Sequence, residues 1–335
     1  MTFDVPPPPD TSENAWELHA EGAIGAVVVP YVGPDADVVL LDPVWAAGVL
    51  PHPVAARAHL VGPSDLHASL AVEMSREHFG QLGVGEAVVG WAPAWAAVWG
   101  GLADVPVTRD RELHPEDRVA VHEPVLSRHF LPQHMAGVGL GARPGDVVHG
   151  RVGVAWASPT ADAPWVWSRV AVHPLGPLPE REAEPLPGDA RVQVAGGAAR
   201  LDSEALGDEV MLSGGVDVAA SRTMGGAEVV YARRDSTGAL EALAYAAQAV
   251  PVSSDDRWDM LLYVRGSRAT GIVEGEAVRY GLTPRLAFRQ LSWNFEVFAE
   301  GWLSWEQADS SPGVAVIDGG ERDNHAAALG ARVVL

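Results

Sequence analysis

The chain has 335 residues, 47% of them hydrophobic and 20% charged, which leaves room for one large packed unit or two ordinary ones and argues against global disorder. Its formal charge is −21, and no basic cluster exceeds the adjacent pair Arg233 and Arg234, so nucleic-acid and lipid-headgroup binding are disfavoured. Cysteine and lysine are both absent, which excludes disulfides, thiolate chemistry, Cys-zinc sites, Schiff-base lysines and Walker A phosphate loops.

Residues 1–12 read as a tail, stiffened by the prolines at 6–9, with Asp10, Thr11 or Ser12 available to cap a short helix near Glu13. This end carries an acid, no base and no apolar run, so a signal peptide is not expected. No stretch nears the ~18 apolar residues of a membrane-spanning helix. The expected location is cytoplasmic, with no membrane and no nucleic-acid partner.

Residues 24–32 form a β-branched run, Gly33, Pro34 and Asp35 are turn residues, and 38–41 is a second apolar run, a hairpin pattern. Ser64 then reads as a helix cap. Leu66, Leu70 and Met74 fall four apart, and Gly80 and Gly83 close the predicted helix. From about Arg118 the pattern is β again. Arg143, Pro144, Gly145 and Asp146 make a turn before Val148, Val152, Val154 and Trp156, which alternate with smaller or polar residues.

Pro174, Pro177, Pro179, Pro185 and Pro187, with acids between them, exclude a helix or a central strand and suggest a stiff, solvated connector. Beyond it, 228–233 and 240–250 flank a hairpin turn at Asp235 to Gly238, and 258–265 and 271–280 continue a meander. Residues 283–307 carry two patterns. Leu291, Phe295, Phe298, Trp302 and Trp305 repeat at 4-3-4-3 after a Thr283-Pro284 helix start, while 291–297 alternates like a strand. The longer pattern favours helix. The end, from Val314, suggests a small β-α-β closure.

These elements add up to an α+β fold, mostly antiparallel β, with two β-rich units joined by a Pro-rich connector: a tail at 1–12, an N-terminal α+β unit at 13–173, the connector at 174–188, and a C-terminal unit at 189–335.

Trp91, Trp95 and Trp99 sit four apart among small residues. On a helix they would share a face, either packed in the core or offered to a partner or flat ligand; Pro93 weakens that helix. Histidines crowd 114–149, where His129, His134 and His149 are the candidate metal ligands. The acidic turn with Asp318, Glu321 and Asp323 could supply oxygen ligands. Neither set has the spacing of a metal motif. Ordinary surface histidines and turn chemistry explain both, and no ordered metal or cofactor is expected. Gly137, Gly139 and Gly141 resemble part of a dinucleotide fingerprint, but Pro144 and Gly145 stand where its helix should run, and no G-x-S-x-G elbow is present. With no nucleophile, metal or phosphate motif and many large aromatics, the chain reads as a non-catalytic binding or assembly protein whose partner is another protein or a second copy. The alternative is a small-molecule enzyme, a metal-assisted hydrolase using histidines of 114–149.

Overall fold

The computed structural model describes residues 16–32, 48–74, 82–113, 118–119, 126, 130, 134–145, 147–158, 161–178, 189–204, 207–235, 237–254, 257–271, 278–291, 293–307 and 321–334. Sixteen strands account for most of them. The first eight are β1 (Glu17–Val32), β2 (Gly48–Gly62), β3 (Leu66–Met74), β4 (Leu82–Trp91), β5 (Ala96–Ala103), β6 (Met135–Ala142), β7 (Val148–Trp156) and β8 (Trp165–Val172). The second eight are β9 (Arg191–Ser203), β10 (Gly207–Ala220), β11 (Thr223–Arg234), β12 (Thr237–Pro251), β13 (Trp258–Thr270), β14 (Val278–Gln290), β15 (Phe295–Gln307) and β16 (Glu321–Val334). Among the described residues helix is confined to one 3-10 turn at Pro63–Asp65, one short helix, α1 (Arg109–Glu112), and the helical residues Leu126 and Phe130.

Each strand pairs antiparallel with its neighbours in sequence, and β1 closes the ring on β16, in register from Ala23 opposite Val334 to Val28 opposite Leu329. The result is one up-and-down barrel with no free sheet edge. This overturns the expected α+β fold of two β-rich units. The proline-rich stretch joins β8 to β9, which are hydrogen-bonded to each other with Val166 opposite Arg200, so it links adjacent staves of a single wall.

The predicted helices are strands. A spacing of four keeps residues on one face of a strand as well as one face of a helix. Leu66 and Leu70 lie on β3 and are exposed on one face of it. The aromatic pattern of 291–305 splits across β15: Phe298 and Trp302 are buried, and Trp305 is exposed on the other face. The Ala-rich end is β16, the closing strand, and not a β-α-β unit. The hairpin at Asp235 is present: Arg234 pairs with Thr237, and Asp235 takes the positive φ of 50° that such a tight turn requires. The second run of the first expected hairpin, 38–41, and the short helix near Glu13 lie outside the described residues.

The two faces of the wall are chemically opposite. On β10, Leu212, Val216 and Val218 are exposed while Glu209, Met211 and Asp217 are buried. On β14, Tyr280, Leu286 and Phe288 are exposed while Thr283 and Arg285 are buried. Apolar side chains therefore cover the outside, and charged ones line the inside. A water-soluble sheet has the reverse arrangement.

Antiparallel order sends the connections alternately to two ends. One end carries short links such as 92–95, 143–147 and 221–222, together with the longer 173–190. The other carries 33–47, 308–320 and the longest, 104–134.

Candidate functional site: the inward connection

The described residues of the connection 104–134 lie within the barrel. Its two ends are tied together first. Asp104 lies 3.6 Å from Arg111, and its Oδ1 accepts a 2.9 Å hydrogen bond from the backbone N–H of His134. Burial pushes the Asp104 carboxyl up, but Arg111, His134 and Arg118 outweigh it and hold the group below the usual range.

The first half then lies along the wall of β7 to β12. The Val107 carbonyl accepts from Arg169 Nη1 on β8 at 3.0 Å and from Ser213 Oγ on β10 at 2.5 Å. In α1, Arg109 pairs with Asp217 on β10 at 2.9 Å, and its backbone N–H donates to Glu228 on β11 at 3.0 Å. The Arg109 guanidinium lies 4.5 Å from the centroid of the Tyr245 ring, whose hydroxyl donates to Asp217 at 2.6 Å. Glu112 accepts from both Nε and Nη2 of Arg169, at 3.0 and 2.7 Å, and lies 3.6 Å from Arg151 on β7. Burial again raises this carboxyl, and the two guanidiniums override it and hold it at about 2.

The chain next reaches the opposite wall. Arg332 on β16 donates to the Arg118 carbonyl at 2.9 Å, and Val119 packs in a cluster with Val27, Phe298 and Trp302. It returns through Leu126, whose N–H donates to Glu241 on β12 at 2.8 Å, and Phe130, whose ring lies 5.4 Å from the Arg234 guanidinium. The described residues of the connection thus make contacts on both sides of the lumen. Behind it, Arg285 bridges Glu296 and Glu300 with its guanidinium 3.5 Å from the Phe298 ring, and Arg289 pairs with Asp259 at 2.7 Å. These charges face an aqueous or polar interior; on the outer face they would be costly.

The tryptophan stripe is divided by the β4–β5 turn. Trp91 is 42% and Trp95 66% exposed, on the outer surface at the short-link end, whereas Trp99 is 6% exposed and points inward. Trp99 stacks on Trp167 with centroids 5.9 Å apart. Each indole fills the place of a missing side chain, Trp99 over Gly139 and Trp167 over Gly153, where a Cβ would collide with the ring. Gly139 belongs to the supposed dinucleotide pattern, and its role here is to make space.

The histidines are dispersed. His134 closes the neck of the inward connection, and His149 lies on β7 with its ring 4.6 Å from that of His173. His129 and Asp318 lie outside the described residues. Glu321 and Asp323 sit on β16 opposite Gln307 and Trp305. Among the described residues no group of three histidines or carboxylates is placed to share a metal ion. Of the residues that build the site, Arg169, Asp217 and Glu228 carry a sequence signal only as charges at the inward parity of mostly apolar strands, and Arg109 and Glu112, in α1, carry none.

No protein-family model matches the chain, and no curated protein does. Solved structures do. OmpT of Vibrio cholerae, an outer membrane protein in its trimer form, aligns with a TM-score of 0.62 at 12% identity over 96% of this chain and 100% of that one. The anion-selective porin from Comamonas acidovorans gives 0.62 at 11% identity over 96% and 100%. The outer membrane channel DcaP of Acinetobacter baumannii gives 0.61 at 8% over 96% and 97%. At such identities the shared property is the fold: a closed sixteen-strand barrel of the outer membrane porin type. The expectation of a cytoplasmic chain without membrane contact is thereby corrected. It rested on the charge of −21, on the reading of residues 1–12 and on the lack of a long apolar run, and the last is a criterion for helices that says nothing of strands.

Proposed function

We propose that the protein is a channel of an outer membrane, passing small hydrophilic solutes through a lumen narrowed by the 104–134 connection. The observation that carries this reading is the inverted alternation of the wall, with apolar side chains outside along most described strands and charged ones inside, most densely from β7 to β15.

Aromatic placement supports it. Trp16, Trp91, Trp258, Phe288 and Trp293 are on the surface at the short-link end, with Trp258 stacked on Phe288 at 4.8 Å. Trp156, Tyr231, Tyr280 and Trp305 are exposed towards the other end, where Tyr280 pairs with Trp305 across β14 and β15. Indole and phenol rings favour the two interfaces of a bilayer. Along β14, Tyr280 to Phe288 spans roughly 26 Å at about 3.3 Å per residue, a fair match to a tilted membrane strand.

The test is reconstitution. Purified barrel added to a planar lipid bilayer should give discrete, stepwise ion conductance. A protein that stays monodisperse without detergent and carries no current would sink the proposal.

A further inference from the structure

Near the short-link end, β1, β2 and β3 carry a row of imidazoles on their inner face. His19 on β1 stands opposite His59 on β2, and His67 on β3 lies diagonally across from His59. His59 Nε2 and His67 Nδ1 are 3.2 Å apart, with ring centroids 5.4 Å apart and planes inclined at 59°. We propose that these two nitrogens form an open site for a divalent transition-metal ion of the kind imidazole prefers, zinc or copper(II). The inference rests on the barrel fold and not on the channel reading.

The strand register brings the pair together. His59 pairs across with Ser69, and His67 follows two positions away on the same face of β3. Such diagonal neighbours are within reach of one another when their side chains carry rings. Two nitrogens each ~2.0–2.1 Å from a tetrahedral ion stand about 3.3–3.4 Å apart, so the observed gap of 3.2 Å needs little adjustment. The tautomers permit it too. In the metal-free pair one facing nitrogen carries a hydrogen and the other accepts it. With the hydrogens on His59 Nδ1 and His67 Nε2 instead, both facing nitrogens present a lone pair, and no net proton leaves.

The surroundings favour a cation. Glu86, buried on β4, accepts from the hydroxyl of Ser69, the residue opposite His59. Glu17 lies 3.6 Å from His19. Arg57, two residues before His59, pairs with Glu21 at 2.8 Å, so its charge is offset locally. The ligand type then selects the ion: imidazole suits zinc, copper and nickel, whereas magnesium and calcium take oxygen. Among the described residues no third histidine or carboxylate is placed to join the pair. Two protein ligands leave the remaining positions to water or a solute, which makes the site open and exchangeable, unlike a closed structural zinc site.

The experiment is calorimetry on the full chain in detergent micelles, with zinc chloride and magnesium chloride as probes. Zinc should bind saturably, and magnesium should give no saturable heat. His59→Ala and His67→Ala should each weaken zinc roughly tenfold or more while far-UV circular dichroism keeps its β signature. His149→Ala, which alters the histidine pair of β7 and His173, should leave zinc binding unchanged. If His59→Ala or His67→Ala fails to fold, copper(II) added to the unaltered chain decides: its electron spin-echo spectrum should show two coupled imidazoles. Absence of saturable zinc binding, magnesium binding as tightly as zinc, unchanged affinity in folded His59→Ala or His67→Ala, loss of binding in His149→Ala, or fewer than two imidazoles on copper would each overturn the proposal. Binding in micelles needs no ion flow. A barrel that conducts but binds no zinc refutes the metal site alone, and one that binds zinc at the pair but carries no current refutes the channel alone.

Discussion

Arg169 on β8 and Glu112 in α1 form a two-pronged ion pair, at 2.7 and 3.0 Å, that fastens the inward connection to the barrel wall. The arginine side chain is nearly inaccessible, so the pair is screened little by water. Arg169 also donates to the Val107 carbonyl, which makes it the common anchor of two points on the connection.

Arg169→Met should therefore loosen the connection without opening the barrel. Removing one partner of a buried pair costs up to about 3–5 kcal/mol, and Arg151, 3.6 Å from Glu112, keeps the loss towards the lower end. The expected outcome is a lower melting temperature and larger or noisier single-channel steps. A variant with unchanged melting and unchanged conductance would show that the pair does not hold the connection in place.

The same pair sets an acid limit. Glu112 titrates at about 2, below the ordinary glutamate value of 4.5. A carboxyl depressed in the folded state contributes stability that is complete above its unfolded pKa and is lost as pH falls through the folded one. Docking of the connection should thus be full at pH 5 and above, and should weaken between about 4.5 and about 2. Asp104, also held low, acts in the same direction. Proteolytic susceptibility of the connection, measured from pH 7 to pH 2, checks this; release that begins near pH 7 would point to a different group.

Much of the strand content was legible, and its meaning was not. The alternation of Val148, Val152, Val154 and Trp156 correctly indicated β7, but alternation is silent about which face meets water and which meets lipid. The run 240–250 carries Glu241 among alanines and leucines, a single inward charge that reads from sequence as a surface position and is fully buried under Leu126. The closing pairing of β1 with β16 joins opposite ends of the chain, and no local signal encodes it. The helical reading of 66–74 failed because a step of four is common to both periods; that of 291–305 failed because its aromatics serve both faces of β15, Phe298 and Trp302 the inner and Trp305 the outer. Trp91 and Trp99 share a parity, yet the turn at 92–95 places them on opposite faces. The site itself depends on contacts more than a hundred residues apart in sequence, such as Arg109 with Asp217 and Arg332 with Arg118, which no spacing rule reaches.

The divided tryptophans give a direct membrane test. Trp99→Ala empties a packed lumen position and should cost roughly 3–5 kcal/mol, the range for a large buried aromatic. Trp91→Ala should cost markedly less, as an interfacial side chain. In single-tryptophan variants, lipids brominated near the headgroup should quench Trp91 and Trp95 strongly and leave Trp99 bright. Equal quenching of all three would contradict the assignment of inner and outer faces.

The outer face offers the last prediction. Leu212 lies near the middle of β10 with its side chain exposed, between Ala198 on β9 and Tyr231 on β11. If that surface meets hydrocarbon, Leu212→Arg places a guanidinium near the bilayer midplane, at a cost of about 2–4 kcal/mol. The same arginine introduced in place of Thr223, at the β10–β11 turn on the short-link end, should cost about 1 kcal/mol or less, because there it reaches the interface. Both substitutions are on exposed positions, so in a water-soluble protein neither would destabilise, and Leu212→Arg would improve solubility. Reversible unfolding by guanidinium in lipid vesicles measures both costs on one scale. A penalty at Leu212 well above that at Thr223 identifies the apolar wall as lipid-facing, and equal, near-zero penalties would remove the ground for placing the barrel in a membrane.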